Sequence, residues 1–563
     1  MKLKAILFAT LLCVAFTETK AKDEKETVIF QAMKDELNRT MSGLSLPDMQ
    51  KPFFCAYTIR ANEVFQLMAS FGETTFSNGG LFNQYQVDLM VGDYHRANFN
   101  YTDATYLKQN QTGNMPVDYD YDEIRRSLWL ASDGAYKDAA TEYDAKLLKW
   151  KQMNVSPEMD ALDDLSKITP IEKKAKHRFE QTFSRKEYWK KTAEAVTSVF
   201  TKYPDIIDNQ LTLQIWSSDD YYMSNEGSKI VNPQDWTNLE ISATVRTEDG
   251  GDLTDMIYYE VLNDADIPSS DSIIHAAEEL AQRIIALKNA PKVNETYDGP
   301  VLFEGVQVVA QLSKFIIYGS GMTGYRVPLQ SNESKSMEER MNRKILPLNM
   351  NVTSIPGLKE FKGVQLYGSY EVDAEGVVPP ERLVMVENGI LRNVASDRIP
   401  TLRTPLSNGH NRPTAPGSNV RRGIQPGVIN FEATNGESME QLKEKLIQLA
   451  KEGGEEYAYI LRGTAFSKPL IYRVNVKDGS EQLMRGGTIS NIDVRQMKKM
   501  AGISSEQTAT NMRFNGALTS FICPTSILLE DIELSKDGIK TRDKKPVVAS
   551  PLADLQNKKK IKK

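Results

Sequence analysis

Apolar residues recur at helical spacing at Phe30, Met33, Leu37 and Met41, which predicts an amphipathic helix near the N-terminus. Three strand-like runs follow: "FFCAYTI", "VFQLMASFGETTF" and "QYQVDLMVGDYHRANF". The stretch "SNGGLFN" between the second and third predicts a hairpin turn there. From about Glu123 to Lys202 the pattern becomes helical and highly charged, and residues 210–260 return to strand-like alternation. Ile273, Ala277, Leu280, Ile284 and Leu287 form one stripe of a helix that must stop before Pro291. Beyond "YDGP" the chain reads as short strands and Gly/Pro/Asn turns as far as Leu534. Helical stretches interrupt it near 306–317, 438–452 and 494–501. No internal repeat is visible. The order predicts an α+β fold followed by a largely β region, with the boundary near 291–300.

Composition narrows the class. A chain of 563 residues exceeds a single core, and 40% hydrophobic with 26% charged residues is ordinary for a globular protein. The net charge of −6 provides no basic field for nucleic acid. Basic residues concentrate only in the tail that ends "NKKKIKK", and residues 541–563 are expected to be a solvated, disordered end. Residues 1–21 carry Lys2 and Lys4, an apolar run from Ala5 to Phe16, and Thr19-Lys20-Ala21 before an acidic stretch. That is the layout of a cleaved signal peptide, so export to a periplasm or beyond is expected. No other apolar run approaches the roughly 18 residues needed for a membrane span. Cys55 and Cys523 are expected to be two separate buried thiols.

Chemical candidates are few. The four histidines are His95, His177, His275 and His410, and no two are spaced as a zinc-binding pair. His275 and Glu279 sit one helical turn apart and are expected simply to pair. His410 and Arg412 lie in "SNGHNRPTAPGSNVRRG", a stretch rich in Gly, Asn and Arg that reads first as a plain loop; as a binding loop it would make these two the candidate binding residues. There is no G-x-S-x-G elbow. Ser313 and Lys314 are neighbours rather than S-x-x-K partners, and the adjacent Asp219 and Asp220 take no role from spacing alone. Gly319, Gly321 and Gly324 spell G-x-G-x-x-G. The preceding segment has helical rather than strand spacing, and Pro328 follows, so a dinucleotide-binding turn is rejected. Gly319 is expected to end a helix instead.

That helix carries a resemblance. "APKVNETYDGPVLFEGVQVVAQLSKFIIYGSG" resembles the segment of the TldD/PmbA proteins (peptidase family U62) in which Gly-Pro-Val-Leu-Phe-Glu opens the metal-binding helix. "SNEGSKI" is similar to the family's Asn-Ser-Glu-Gly turn, and "ERLVMVENGILRNVASDR" to its Asn-Gly-x-Leu hairpin. "LIYRVNVKDGSEQLMRGG" and "CPTSILLEDIEL" resemble its C-terminal strands, all in the family's order. The resemblance implies an N-terminal α/β domain with an antiparallel sheet over 22–295 and a β-rich, barrel-like C-terminal domain over 296–540. Active members bind zinc through H-E-x-x-x-H on that helix. At those positions this chain has Ser313, Lys314 and Tyr318, and the stretch "ATNMRFNGALTS", where the third ligand of the family falls, has no Cys; Cys523 lies beyond it.

The resemblance therefore implies no zinc cofactor here and a metal-free subunit. Such a subunit would dimerise, with itself or with a TldD-type subunit, around a chamber for small or unfolded peptides. The alternative is an active secreted metallopeptidase with other ligands, such as His410 with acidic residues from elsewhere. Export predicts that the protein purified from its native host begins at Lys22, after cleavage at Ala21. N-terminal sequencing that returned Met1 would refute it.

Overall fold

The computed structural model describes residues 24–99, 110–153, 155–178, 183–314, 321–324, 326, 337–463 and 469–536. Tyr318, Gly319, residues 1–21 and the tail 541–563 lie outside the described residues.

The N-terminal region is built on a seven-stranded sheet with strands β1 (Pro52–Ser70), β2 (Glu73–Val91), β3 (Asn110–Met115), β4 (Glu172–Lys174), β5 (Ile206–Ser224), β6 (Lys229–Arg246) and β7 (Asp252–Val261). The order is β3-β2-β1-β5-β6, with β4 and β7 both pairing with β6. Every pairing is antiparallel except β4 with β6. β1, β2 and β5 each run 19 residues, roughly 60 Å of extended chain.

The hairpin predicted at "SNGGLFN" is not there. β1 runs straight through the end of the first run and half of the second, and the chain reverses at Phe71-Gly72. Both turn residues have positive φ, 48° and 89°, which matches a two-residue turn to the sheet's twist. Gly79 and Gly80 lie inside β2 opposite Phe65 and Val64, and a Cβ on Gly79 would meet the Val64 carbonyl at 3.0 Å. Gly79 thus serves close backbone approach rather than a turn, whereas Gly80 has open space beside it.

One face of the sheet is covered by two separate helical layers. Helix α1 (24–43) and α2 (Tyr121–Gln152) cover Cys55, Tyr57, Ile59, Val87, Leu89 and Tyr221. Phe30, Met33 and Leu37 of α1 are buried, as their spacing predicts. Helices α3 (Lys186–Ser198) and α4 (Ser270–Asn289) cover the other end, over Leu67, Leu213, Ile215, Leu239 and Ile241. α4 uses the predicted stripe from Ile273 to Ile284 and ends at an extended Ala290. Of the stretch 123–202 read as helical, only α2 and α3 are long helices; 161–171 and 175–178 have no regular structure.

The opposite face meets the C-terminal region, which forms a curled half-barrel. In one of its sheets, β8 (Tyr297–Glu304) lies between residues 457–462 and 526–536; the other sheet centres on 350–354 and 428–433. Val301, Phe303, Val352, Phe431, Phe521 and Leu529 fill the core between them. The predicted Asn-Gly hairpin is present, with Asn388 and Gly389 both at positive φ. Trp216 and Trp236 stack across β5 and β6 at 6.3 Å between centroids, and the Trp236 indole donates to the Pro416 carbonyl at 3.2 Å. Cys55 and Cys523 are separate buried thiols, raised by desolvation. Among the described residues no helix is long and apolar enough to cross a membrane.

Candidate functional site

The helix that carries the resemblance begins where β8 ends. Gly305, at φ 58° and ψ −127°, turns the strand into α5 (Val306–Leu312), a backbone conformation suited to glycine. Its amide donates to the Thr525 carbonyl at 2.8 Å, which anchors the helix start to the strand pair behind it. Val308, Val309 and Leu312 are fully buried in the C-terminal core, and Gln307 and Gln311 are also buried. Ser313 follows as the helix cap, 3% exposed, its amide donating to the Val309 carbonyl at 2.9 Å. The exposed Lys314 folds back so that its Nζ donates to Gln311 Oε1 at 3.0 Å, and partial burial lowers its pKa.

This donor set does not fit zinc. A hydroxyl and an ammonium replace imidazole and carboxylate, and a cation beside a dication is repulsive. Cys523 lies fully buried on the strand Ala517–Pro524, with its thiol held protonated by desolvation. Among the described residues no group of three His, Cys, Asp or Glu side chains is placed to hold a metal ion.

His410 and Arg412 differ in placement although two residues apart. His410 is fully buried. Its Nε2 lies 2.9 Å from Ser354 Oγ, and its Nδ1 lies 2.9 Å from both the carbonyl and the Oδ1 of Asn408. Desolvation lowers its pKa to about 4, so the ring is neutral at pH 7. Arg412 donates to the Gly368 carbonyl at 2.9 Å and stacks on Tyr370 with 4.0 Å to the ring centroid. It forms part of the wall of a narrow cleft of about 120 Å³ between β6 and the C-terminal loops. Arg178, Gln234, Asp235, Tyr367 and Tyr370 line the same cleft.

A constellation that spacing did not reveal borders this cleft. Between the two helical layers, the sheet face changes from apolar to polar at Glu63, Ser217, Asp219 and Asp235. Cross-strand pairing puts Glu63 opposite Ser217, and Ser217 opposite Asp235. His177, from the segment after β4, inserts here, with Nε2 2.9 Å from Asp219 Oδ1 and Nδ1 2.7 Å from Asp235 Oδ2. Ser217 Oγ donates to the other Asp235 oxygen at 2.7 Å. The next residue, Arg178, reaches the C-terminal region and donates to the Leu366 and Lys359 carbonyls and to Gln365 Oε1. Residues 177 and 178 therefore strap the sheet to the hairpin at 360–365. The acids lie 42 and 58 residues from His177, so no local motif announces them.

Asp219 and Asp220, adjacent in sequence, serve opposite faces. Asp219 meets His177, whereas Asp220 accepts two bonds from the fully buried Arg60 at 2.6 and 2.7 Å. His275 and Glu279 form the exposed pair expected of them, at 3.4 Å.

Comparison with known proteins fits this architecture. Residues 296–536 match the model of the PmbA/TldA metallopeptidase C-terminal domain. This region is a C-terminal domain of the TldD/PmbA family. A search of the curated proteins found no match. Among solved structures, a protein of Thermotoga maritima described as a modulator of DNA gyrase superposes with a TM-score of 0.55 at 13% identity, covering 90% of this chain and 100% of its own. TldE from Thermococcus kodakarensis gives 0.54 at 12%, with the same coverage. A Bacteroides thetaiotaomicron protein, also described as a modulator of DNA gyrase, gives 0.56 at 13%, covering 91% and 99%. These three proteins share the fold at identities where few side chains are the same.

His177 yields a pH prediction. Burial alone would lower its pKa, but the hydrogen bonds to Asp219 and Asp235 outweigh that and raise it to about 9. A histidine with a folded pKa above its unfolded value near 6.5 stabilises fully below pH 6.5 and loses that stabilisation as pH rises through about 9. The loss is on the order of 3 kcal/mol. Melting curves of His177→Gln should therefore fall less steeply between pH 7 and 10 than those of the wild type. Parallel slopes would show that the ring is not held protonated between these acids.

Proposed function

We propose that this chain is an exported, metal-free member of the TldD/PmbA family that pairs with a second subunit to enclose a chamber for small or unfolded peptides. The observation that carries this reading is the helix α5. Its placement at the start of the family's C-terminal domain is retained, but Ser313 and Lys314 occupy the positions where the resemblance implies a zinc-binding His and the water-polarising Glu. Metal-assisted hydrolysis needs a Lewis acid and a base at that point. A neutral hydroxyl and a hydrogen-bonded ammonium supply neither.

The buried neighbours of α5 explain how the helix persists without a metal. Its inward residues belong to the C-terminal core, so its position is fixed by packing rather than by ligation. What remains is a scaffold that binds and encloses rather than cleaves. Dimerisation completes the enclosure, and interfaces of obligate pairs bury on the order of 2,000 Å² or more. Light scattering at micromolar concentration should give a dimer of the chain, or a heterodimer when it is co-purified with its partner. A monomer under both conditions would count against the chamber.

The alternative, an active peptidase with other ligands, would need His410. That ring is enclosed and both its nitrogens are engaged. Substituting Ser313→His, Lys314→Glu and Tyr318→His should restore two imidazoles and the carboxylate but not a third protein ligand. The triple variant should bind zinc weakly and cleave unfolded peptides little, because groups that orient the imidazoles are not built in. The wild type should do neither. Chelator-sensitive cleavage by the wild type would sink the metal-free reading. A triple variant that bound no more zinc than the wild type would sink the placement of the helix.

A further inference from the structure

Six basic side chains gather around one open cleft of the C-terminal region: Arg340, Arg343, Lys344, Arg403, Arg495 and Lys498. Its volume is about 680 Å³, within the roughly 300–1,000 Å³ of small-ligand sites. A single acid, Glu339, lines it with them. Arg495 has a distant, exposed partner in Asp493 at 3.5 Å. The other five make no side-chain hydrogen bond or ion pair among the described residues. Arg60, Arg178, Arg398 and Arg412, by contrast, are taken up by carboxylates or carbonyls. In a chain of net charge −6, this cleft is lined by six cations and one acid.

The rim is fixed rather than trailing. The buried Glu338 accepts from Thr401 Oγ1 and Thr404 Oγ1, each at 2.6 Å, which joins the turn bearing Arg340 to the loop bearing Arg403. The Gly324 amide donates to the Ala395 carbonyl at 2.6 Å, and the Ala395 amide to the Met322 carbonyl at 2.9 Å. The cleft therefore belongs to the same body as the segment that follows α5.

We propose that this cleft is an anion-binding site for a short run of carboxylates on a peptide, an acidic segment drawn in beside the chamber. The inference rests on the peptide-binding reading above and specifies the kind of peptide. Four guanidinium groups present planar forks that match carboxylates two bonds at a time. A single phosphate would engage one or two of the six cations and leave the rest unpaired. A long nucleic acid would lie along a surface whose net charge repels it outside the cleft. The chain's own tail is basic and cannot be the occupant.

Fluorescence anisotropy with a labelled hexaglutamate peptide and its hexaglutamine counterpart tests this on the full-length protein. The glutamate peptide should bind at least about tenfold tighter at low ionic strength, and added salt should erase the difference. Arg343→Glu with Arg403→Glu should abolish that preference while leaving the melting temperature and the binding of an uncharged unfolded peptide unchanged. Equal binding of the two peptides, or an unchanged preference in the double variant, would overturn the proposal and leave the chamber reading standing. Cleft-dependent binding of hexaglutamate without any binding of uncharged peptide would support this site and overturn the general chamber. Displacement of hexaglutamate by inorganic pyrophosphate at lower concentration than by free hexaglutamate would overturn the choice of peptide and assign the site to phosphate.

Discussion

The clasp between Arg398 and Glu226 governs how the two halves of the molecule sit together. Arg398 is fully buried, its NH1 and NH2 each reach a Glu226 oxygen at 2.7 Å, and its NH2 and Nε also reach the Ser166 carbonyl. Burying a guanidinium is tolerated only when every donor direction is met, and removing one partner of such a pair costs about 3–5 kcal/mol. Tyr94 adds a hydrogen bond to the same carboxylate at 2.7 Å. The acid sits in the tight turn between β5 and β6 and the base just after the Asn-Gly hairpin, 172 residues on. Two motifs that mark the family thus meet each other in space. Their joint presence reflects one physical requirement rather than two.

The same logic recurs along the seam. Arg60 on β1 stands directly opposite Asp220 on β5 and reaches the Ala415 carbonyl, while Arg422 pairs with the buried Asp88 at 2.7 Å. Each fixes strand register, because a slip of one residue would carry the charge to the helix-covered face. The fold therefore separates its tasks by strand face. One face carries apolar ends beneath helices and the polar gap that holds His177; the other carries the arginine seam. The strap at His177 and Arg178 links the two, entering the gap on one side and gripping the C-terminal hairpin on the other. Apolar clusters share the seam with these charge pairs: Trp216, Trp236 and Leu262 pack against Tyr367, Ala415 and Leu518.

Legibility followed range. Helices α1 and α4 and the alternation of β5 and β6 were readable because their periodicity is local and one face is buried. The Asn388-Gly389 turn was readable because its backbone needs those residues. The β1–β2 reversal was not: Phe71-Gly72 is an ordinary pair for a turn, and Gly79-Gly80, a turn signal in the sequence, lies inside β2. The α+β order and the family emerged from motifs whose spacing is preserved. The cleft residues did not, because His177 meets its two acids, and Arg343 meets Arg403 and Lys498, only through tertiary folding. Arg412 and His410 share one loop, but Arg412 lies in a cleft wall and His410 faces the core.

Helix α5 is held in place by packing and needs no metal to keep its position. Zinc in a catalytic site is held by three protein donors, and the fourth position stays open for chemistry. Such a site contributes to stability only if the surrounding structure depends on it. Here the helix is set by Gly305, by its amide bond to Thr525, and by Val308, Val309 and Leu312 in the core. None of these involves a ligand position. The identities of Ser313 and Lys314 therefore do not set the packing of the helix: the Ser313 amide and the Lys314 ammonium bond to groups of the helix itself. Lys314 bonds to Gln311 one turn back, an arrangement that a carboxylate at the same place could also make. Constraint on the helix is thus a constraint on shape, set by the core rather than by the two residues at its end.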